Sequence, residues 1–575
     1  MRKIGFLLLA LLSTIIVIAQ TYISNVTLLD VENMKLIPGQ TITVNKGIIT
    51  AITPIKKTSM VPSADIIDGT GKFLMPGMTD SHVHFFQSGG LYTRPDALDL
   101  RKFKPYENEM AWTHDNMDDL LKRYLQNGIT SVIDVGATVN FLQQRDTFQS
   151  KSYAPAIFMT GPLITTYEPD AFKKLGNDEP FYYVQSPAEA RAMVQKQLPY
   201  KPDFIKIWYI AALGNNIEAT ARKYLPIIQA TIDEAHKNNL RVAVHATERI
   251  TAQLAVESGC DFLVHGVDDE VVTDGFIQLL KQKNVVLCPT LIVADNYRKT
   301  FLQKSNYNYH DFIHSNPYQL GSLFDLKHIA SDEMKKRFER SGEMLENLDK
   351  KSDSIRMVNL KKMSDAGIII ASGTDAGNIG TLHATSFFEE LKSMKLSGMS
   401  TWKIIQASTI NGAKAAGKQK EWGSIAVGKR ADILLLNANP VDNLDNLLQI
   451  QYIFHKGEKI LPGSLIPESP LALVQRQLNG YNARNLDAFL EPYAEDVELF
   501  NFPDKLIAKG KAGMRKMYSW FKQVPELHCE IKNRAILGNT IIEKEKVTGF
   551  GDKPLEAVAI YSIENNSIKR VYFIQ

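Results

Sequence analysis

Two histidines, His82 and His84, stand one residue apart in the segment MPGMTDSHVHF. In a β-strand, alternate side chains point to the same face, so both imidazoles would converge on one point. Imidazole is the commonest metal-binding side chain, which makes the pair a candidate metal site. Two histidines at this spacing also occur on polar surface strands, so the pair alone leaves both interpretations open.

Three more residues of metal-binding type follow apolar runs. His245 ends RVAVH, His265 ends DFLVH, and Asp375 comes after IIIASGT. Together with the first pair they form a ligand set suited to Zn²⁺ or a similar divalent ion, with one position left open for water. Any one of them could be a hydrogen-bonded structural residue. Five at the ends of apolar runs predict a metal site.

Lys206, in PDFIKIW, is the sixth candidate ligand. An ammonium group has three donors and no lone pair, so it binds a cation only after modification. Reaction of the neutral amine with carbon dioxide would give a carbamate whose two oxygens could bridge two metals, and burial favours the neutral amine. The alternative is an ion pair between Lys206 and a nearby carboxylate.

The elements that must position these residues form a repeating pattern. Between amphipathic helical segments lie eight short apolar runs, at 78–84, 129–135, 155–160, 203–208, 241–245, 261–265, 284–289 and 367–372. Eight β/α units predict an α/β fold built on a (β/α)8 barrel, whose catalytic groups lie at the carboxyl ends of the strands. The barrel is expected over 76–419, and its charged stretch 291–366 is expected to be a lid-like helical insertion.

The flanks of this region have strand and turn patterning. Residues 20–75 and 420–461 are expected to pair into one composite β-sandwich. A linker at 462–470 follows, and then an α+β module at 471–575 that begins with a helix through LALVQRQLNGYNARNLDAFLEPY and ends in strands.

Composition restricts the partners and the compartment. With 66 basic and 63 acidic residues in 575, and no basic run interleaved with aromatics, a nucleic-acid partner is not expected. Residues 1–19, basic and then apolar, predict a cleaved signal peptide, hence a periplasmic or secreted protein with no stable membrane anchor. The three cysteines, Cys260, Cys288 and Cys529, are too few and too scattered for a disulfide framework.

Several motifs together resemble the amidohydrolase superfamily, in the branch of imidazolonepropionase and the prolidase-like Xaa-Pro dipeptidases. The motifs are PGMTDSHVH, DFIKI, VAVHA, FLVHG, SGTDA and GSIAVGKRADILLLNANP. The resemblance implies that His82 and His84 bind the more buried metal and that His245 and His265 bind a second. It also implies that Lys206 is the carboxylated bridging lysine, and that Asp375 binds metal and accepts a proton from the attacking water. Two zinc ions per chain are therefore expected.

The activity implied is hydrolysis of a C–N bond by a metal-bound hydroxide, with a dipeptide or another acylated amino acid as the small-molecule substrate. Imidazolonepropionase-type members are mononuclear and lack the lysine, so Lys206 favours the dipeptidase-like members. Two alternatives remain open: hydrolysis of a cyclic amide, lactone or organophosphate ester, and ligand binding without turnover. Tyr209 and His383 are candidate substrate contacts.

The carboxyl-terminal module resembles the nuclear transport factor 2-like superfamily, in its SnoaL-like or ketosteroid-isomerase-like branch. The resemblance implies a cone with an apolar pocket, in which Asp496 and Tyr481 could be proposed as base and oxyanion donor. We expect instead a non-catalytic module that binds a ligand or forms a homodimer, because a fold does not establish a function.

Overall fold

A computed structural model describes residues 20–58, 60, 65–329, 331–551 and 553–575. The predicted signal peptide, 1–19, lies outside the described residues. Within the described part of the chain, no helix is both long enough and apolar enough to cross a membrane.

Strands dominate the first part of the chain. The amino-terminal flank has five: β1 (Thr21–Asp30), β2 (Lys35–Asn45), β3 (Ile48–Pro54), β4 (Asp65–Asp68) and β5 (Phe73–Pro76). The central region has ten strands: β6 (Met78–Val83), β7 (Ile129–Asp134), β8 (Ala156–Met159), β9 (Leu163–Thr165), β10 (Phe181–Tyr183), β11 (Phe204–Trp208), β12 (Arg241–His245), β13 (Phe262–Val264), β14 (Val286–Cys288) and β15 (Ile369–Ile370).

Fifteen helices accompany the central strands in the described residues. They are α1 (Tyr106–Asp115), α2 (Met117–Gln126), α3 (Val139–Phe148), α4 (Pro187–Gln197), α5 (Ile217–Lys237), α6 (Arg249–Glu257), α7 (Asp274–Lys283), α8 (Val293–Phe301), α9 (Tyr309–His314), α10 (Pro317–Ser322), α11 (Leu326–Ile329), α12 (Asp332–Asp365), α13 (Ser386–Leu396), α14 (Thr401–Ala407) and α15 (Ile410–Ala415).

The carboxyl-terminal flank and the tail module complete the chain. The flank has β16 (Ile433–Leu436), β17 (Ile450–His455) and β18 (Glu458–Ile460). The tail module has α16 (Pro470–Asn482), α17 (Leu486–Leu490), β19 (Tyr493–Asn501), β20 (Lys505–Lys509), α18 (Gly510–Met517), β21 (His528–Leu537), β22 (Thr540–Thr548), β23 (Leu555–Glu564) and β24 (Ser567–Ile574).

Eight central strands form a ring and lie at the eight apolar runs of the sequence. Parallel pairing joins β6 to β8 in chain order and, separately, β11 to β15. A parallel bridge between Thr160 and Phe204 links β8 to β11, and Ser81 N donates to Ser372 O at 2.9 Å between the first and last strands. Both β6 and β7 are buried along their whole length, as expected for strands covered by helices on their outer face.

The two flanks share one sheet, as the sequence predicts. Its strand order is β18-β17-β16-β5-β1-β2-β3, with β4 also paired to β1. The join between the flanks is the antiparallel pair β5 and β16, in which Leu74 lies opposite Leu435. Both side chains are buried in an apolar cluster with Ile23, Ile42 and Phe454, so the sheet ties the two ends of the barrel region together.

The stretch 291–366 is helical, from α8 to α12, and it packs between the barrel and the tail module. Asn479 Nδ2 on α16 donates to Pro317 O on α10 at 2.6 Å, and the rings of His328 and His528 stack at 3.7 Å. One expectation fails in the tail: the single helix predicted from Leu471 is two helices. The chain turns between α16 and α17, where Arg484 has a left-handed φ of 55°.

Candidate metal centre

His82 and His84 lie at the carboxyl end of β6 and point to the same side of the strand. Their Nε2 atoms are 3.2 Å apart, and both side chains are buried. The backbone that holds them is paired with the segment after β15, because Asp375 N donates to His82 O and His84 N donates to Ala376 O, both at 2.8 Å. The alternation of the strand therefore brings the two rings together, as the spacing predicts.

Asp375 follows β15 and reaches the same point. Its Oδ1 atom is 3.2 Å from His82 Nε2 and 3.0 Å from His84 Nε2. The backbone of Asp375 is in the left-handed region, with a φ of 61°, and that of His265 is also left-handed, at 76°. Left-handed backbone at residues other than glycine is uncommon and is concentrated at functional sites.

His245 ends β12, and His265 comes directly after β13. The two ring centroids are 4.3 Å apart, and the His265 ring is 4.9 Å from that of His82. A hydrogen bond of 2.7 Å between His265 Nδ1 and Thr290 Oγ1 orients the His265 ring. His82, His265 and Asp375 each offer a ligand atom, and these three atoms lie within 4.8 Å of one another.

Lys206 lies in β11, with only 1% of its surface exposed, and lines the same cavity as His84, His245, His265 and Asp375. Burial lowers the pKa of its ammonium group to about 7. Near neutral pH the amine is then uncharged in a substantial fraction of the molecules. The uncharged amine is the form that reacts with carbon dioxide.

Two buried carboxylates behind the histidines were missed in the sequence. Asp134 ends β7, accepts from Phe85 N at 2.9 Å, and lies 3.9 Å from His84 Nδ1. Asp80 accepts from Thr374 Oγ1 at 2.8 Å and thereby connects β6 to the loop that carries Asp375. Burial raises the pKa of Asp134 to about 6 and that of Asp80 to about 7. An aspartate inside an otherwise apolar run, as in MTDSHV and ITSVID, was the available signal.

The cavity above this cluster has a volume of about 340 Å³. Leu163, Phe181 and Trp208 form an apolar wall, and Phe181 stacks on Trp208 at 4.9 Å. Its polar side was not found in the sequence, since it is assembled from distant segments. It includes Arg94, Tyr297, Arg356 and Asn378.

The two predicted substrate contacts do not line the cavity. Tyr209 is buried and donates through its hydroxyl to Ala221 O on α5, because strand alternation directs Lys206 and Trp208 inward and Tyr209 outward. His383 is also buried, between Tyr124 Oη at 2.9 Å and Gln87 O at 2.8 Å. Both expectations are wrong for this reason, although His383 supports the backbone of Gln87, which does line the cavity.

The donor set fits a divalent metal. Among the described residues, His82 Nδ1, His84 Nδ1 and Asp375 Oδ1 are buried and have no hydrogen-bond partner. A buried carboxylate oxygen without a partner is costly, and a cation held between Asp375 Oδ1 and the Nε2 atoms of His82 and His84 would compensate for the cost at Oδ1. Imidazole nitrogens and a carboxylate oxygen are ligands suited to zinc and similar ions.

Comparison with known proteins agrees with this arrangement. The model of the SnoaL-like domain matches residues 474–571. A probable imidazolonepropionase of Homo sapiens is 29% identical over 111 residues, which is 18% of this chain and 26% of that relative. The aligned stretch therefore spans about a quarter of that relative's length. An imidazolonepropionase of Alkaliphilus metalliredigens (strain QYMF) is 22% identical over 431 residues, covering 72% of this chain and 85% of the relative.

Among solved structures, a Xaa-Pro dipeptidase with bound methionine in the active site has the same fold. The two superpose with a TM-score of 0.58 at 21% identity, over 77% of this chain and 100% of the other. The model of the amidohydrolase family matches residues 73–460, which is most of the chain and includes all six candidate ligands. The protein therefore belongs to the amidohydrolase family.

Proposed function

We propose that this chain is a metal-dependent hydrolase that cleaves the C–N bond of a dipeptide or another acylated amino acid. The observation that carries the proposal is the approach of Asp375 Oδ1 to the Nε2 atoms of His82 and His84 at the carboxyl end of a ring of parallel strands. Family membership supports hydrolysis, and the likeness to a Xaa-Pro dipeptidase supports the dipeptide class.

Two divalent ions, most simply zinc, are proposed as cofactors. His82 and His84 would hold one ion, His245 and His265 the other, and Asp375 would also bind metal. Bound metal supplies an activated water nucleophile at neutral pH and polarises the scissile carbonyl.

Lys206 is proposed to bridge the ions as a carbamate. Its neutral Nζ attacks the carbon of carbon dioxide, a new N–C bond forms, one amine proton leaves, and the resulting carboxylate shares one negative charge between its two oxygens. The burial of Lys206 and its pKa of about 7 support this reaction, since an ammonium group has no electron pair to donate.

Asp375 is proposed as the proton carrier. Burial by itself raises the pKa of this carboxyl, but the neighbouring His82 and His84 hold it well below its usual range, so the group is a carboxylate able to accept a proton. It would take a proton from the attacking water and deliver it to the leaving nitrogen, which converts a poor amide leaving group into a neutral amine.

Arg356 is proposed to bind the free carboxylate of the substrate. It lies on α12 and lines the cavity. Its Nη1 atom is 3.3 Å from Asp268 Oδ2 and its Nη2 atom donates to Asp353 Oδ1, while its buried Nε atom has no hydrogen-bond partner among the described residues. A guanidinium with a spare donor suits a planar carboxylate. The apolar wall of Leu163, Phe181 and Trp208 would take the substrate side chain.

The experiment is metal analysis combined with turnover. Residues 20–575, expressed with bicarbonate and zinc, are compared with Lys206→Ala and with the control Lys237→Ala, in which an exposed lysine at the end of α5 is removed. We expect two metals per chain in wild type and control, fewer in Lys206→Ala, and hydrolysis of members of a dipeptide panel. One metal in all three proteins would contradict the bridging role of Lys206.

A substrate panel also separates the alternatives. Turnover of lactones, cyclic amides or organophosphate esters in place of dipeptides would move the proposal to those substrates, because the same metal pair attacks several electrophiles. Metal-loaded protein that hydrolyses none of these compounds would favour ligand binding without turnover. Export to the periplasm or medium and homodimer formation through the tail module remain predictions, which fractionation and sedimentation would test.

A further inference from the structure

The tail module encloses a second cavity, separate from the barrel. The helices α16 to α18 pack against a sheet of order β20-β19-β24-β23-β22-β21, and the space between them has a volume of about 360 Å³. Aromatic side chains form much of its wall, and Tyr481, Phe489, Tyr518, Trp520 and Phe573 are among the lining residues. This size falls within the range of small-molecule sites.

One acidic side chain faces this aromatic cavity. Successive inward positions on β22 are Ile541, Glu543, Glu545 and Val547, all buried, so two glutamates interrupt an apolar face. Glu543 is paired with Arg534. Glu545 has no basic partner among the described residues and lines the cavity with 8% of its surface exposed. Since a buried carboxylate is costly without a partner, its presence in this wall requires an explanation.

A chain of hydrogen bonds holds Glu545 in place. Its Oε1 atom accepts from Tyr561 Oη at 2.9 Å, and Tyr561 Oη accepts from Gln477 Nε2 at 3.1 Å. Gln477 Oε1 accepts in turn from Tyr493 Oη at 3.2 Å. The network fixes Oε1, and no hydrogen bond to Oε2 forms within the described residues. The second oxygen is therefore available to a group inside the cavity.

The charge that would balance Glu545 is missing from the wall. None of the described side chains lining the cavity is a lysine, arginine or histidine. Tyr518 and Trp520 line the cavity, and the electronegative face of an aromatic ring attracts a cation but not an anion. Three apolar residues at the cavity, Met517, Phe550 and Leu555, are 38%, 53% and 43% exposed, which provides an apolar entrance.

We propose that the tail module binds a small apolar amine carrying one positive charge, with the ammonium group on Glu545 Oε2 and the apolar body among the aromatic rings. Glu545 then forms a charge-assisted hydrogen bond in a water-poor site, and the ligand supplies the balancing charge. The two residues suggested by resemblance are placed differently: Tyr481 lines the cavity, whereas Asp496 is exposed and paired with Lys569 at 2.5 Å.

The test is calorimetric titration of the full metal-loaded chain at pH 8 with three compounds of matched size: 4-phenylbutylamine, 4-phenylbutanol and 4-phenylbutyrate. We expect the amine to bind about ten- to a hundredfold more tightly than the alcohol, the usual gain from a hydrogen bond to a charged group, and the carboxylate, which the barrel can also bind, to show no binding that depends on Glu545. An alcohol that binds as tightly as the amine, or a carboxylate whose binding is weakened in Glu545→Gln, would overturn the proposal, and so would an amine that does not bind.

Two variants assign the binding to this cavity. In Glu545→Gln the amine should bind only as tightly as the alcohol, while the affinity for the alcohol is unchanged. The control, Glu556→Gln, removes an exposed carboxylate from β23 of the same module and should behave as wild type. If Glu545→Gln kept the preference for the amine, binding would lie elsewhere and the proposal would fail. Hydrolysis in the barrel should be equal in all three proteins, which verifies folding independently of amine binding.

Discussion

The barrel cavity and the tail cavity have similar volumes, about 340 and 360 Å³, but opposite linings. The barrel cavity gathers histidines, a carboxylate and a lysine at one end, while the tail cavity has one carboxyl among aromatic rings. Volume alone says little about function. The converging lone pairs of the barrel cavity suit a metal cation that activates water. The aromatic rings and single carboxyl group of the tail cavity suit the binding of a molecule that is not chemically changed.

The origin of the two linings also differs. In the barrel, the four candidate histidine ligands and Asp375 lie at or just beyond the carboxyl ends of parallel strands, so one edge of one ring collects them. In the tail, Glu545 lies inside a strand, and its hydrogen-bond partner Tyr561, on β23, accepts in turn from Gln477 on α16. A ring of parallel strands concentrates polar groups at an edge, but this largely antiparallel sheet has them inside an apolar face.

Among the variants that distinguish the barrel cavity from the tail cavity, Asp375→Asn should have the largest effect. The amide cannot take a proton from water, so we expect the metal to remain bound and kcat/KM for a dipeptide to fall by about 10²–10⁴. The affinity of the tail cavity for 4-phenylbutylamine should not change. Steady-state kinetics, metal analysis and calorimetry check the three statements, and near-normal turnover would remove Asp375 from the role of proton carrier.

The pH dependence of the stability of Glu545→Gln, compared with wild type, tests the burial of Glu545 in the tail cavity. Burial raises the pKa of Glu545 from 4.5 to about 7, with a smaller contribution from Glu543 and an opposing hydrogen bond from Tyr561. The folded state therefore binds the proton more tightly than the unfolded state, and stability falls as pH rises from about 4.5 to about 7.

Thermal unfolding of wild type and Glu545→Gln without ligand, from pH 5 to pH 8, measures this effect. The wild type should lose stability relative to the variant as pH rises, by on the order of 3 kcal/mol in total. Titrations in the barrel are common to both proteins and cancel in the difference. A difference that is independent of pH would show that Glu545 is not buried in the manner described.

Gly136→Ala should disturb the barrel cavity and leave the tail cavity intact. A Cβ at Gly136 would lie 2.6 Å from His84 Cε1 and 2.7 Å from His84 Nδ1, so the ring must move. We expect metal affinity to fall about ten- to a hundredfold, as for residues that support metal ligands. Gly513→Ala, on α18 of the tail, meets no atom within 4 Å and is the control. Equal metal content in both variants would contradict the tight packing at His84.

Arg356→Gln is the mildest change. Loss of one charged hydrogen bond to the substrate carboxylate should raise KM about tenfold for a dipeptide, with little change in kcat. A dipeptide amide, which lacks the carboxylate, should show no difference between the two proteins. If the variant lost kcat equally for both substrates, Arg356 would instead position the catalytic groups.

Many of the barrel strands and the candidate site residues at their ends could be predicted from the sequence, because they depend on local patterns. Alternation along β6 brings His82 and His84 together. Apolar runs mark the eight strands, and three of these strands carry His245, His265 and Asp375 at or beyond their carboxyl ends. Alternation of side chains along a strand also explains why Tyr209 is not a substrate contact. Tyr209 follows Lys206 by three positions, an odd number, and so lies on the opposite face of the chain.

What the sequence by itself determined was the set of strands and the residues at their ends, since strand period and apolar runs are short-range properties. Only the tertiary structure decided which distant side chains share a cavity. Arg94, Tyr297 and Arg356 reach the barrel cavity from separate loops and helices, and Glu545 is linked to Gln477 across the tail module through the hydroxyl of Tyr561. These contacts depend on how whole elements pack, which the pattern of any single segment does not encode.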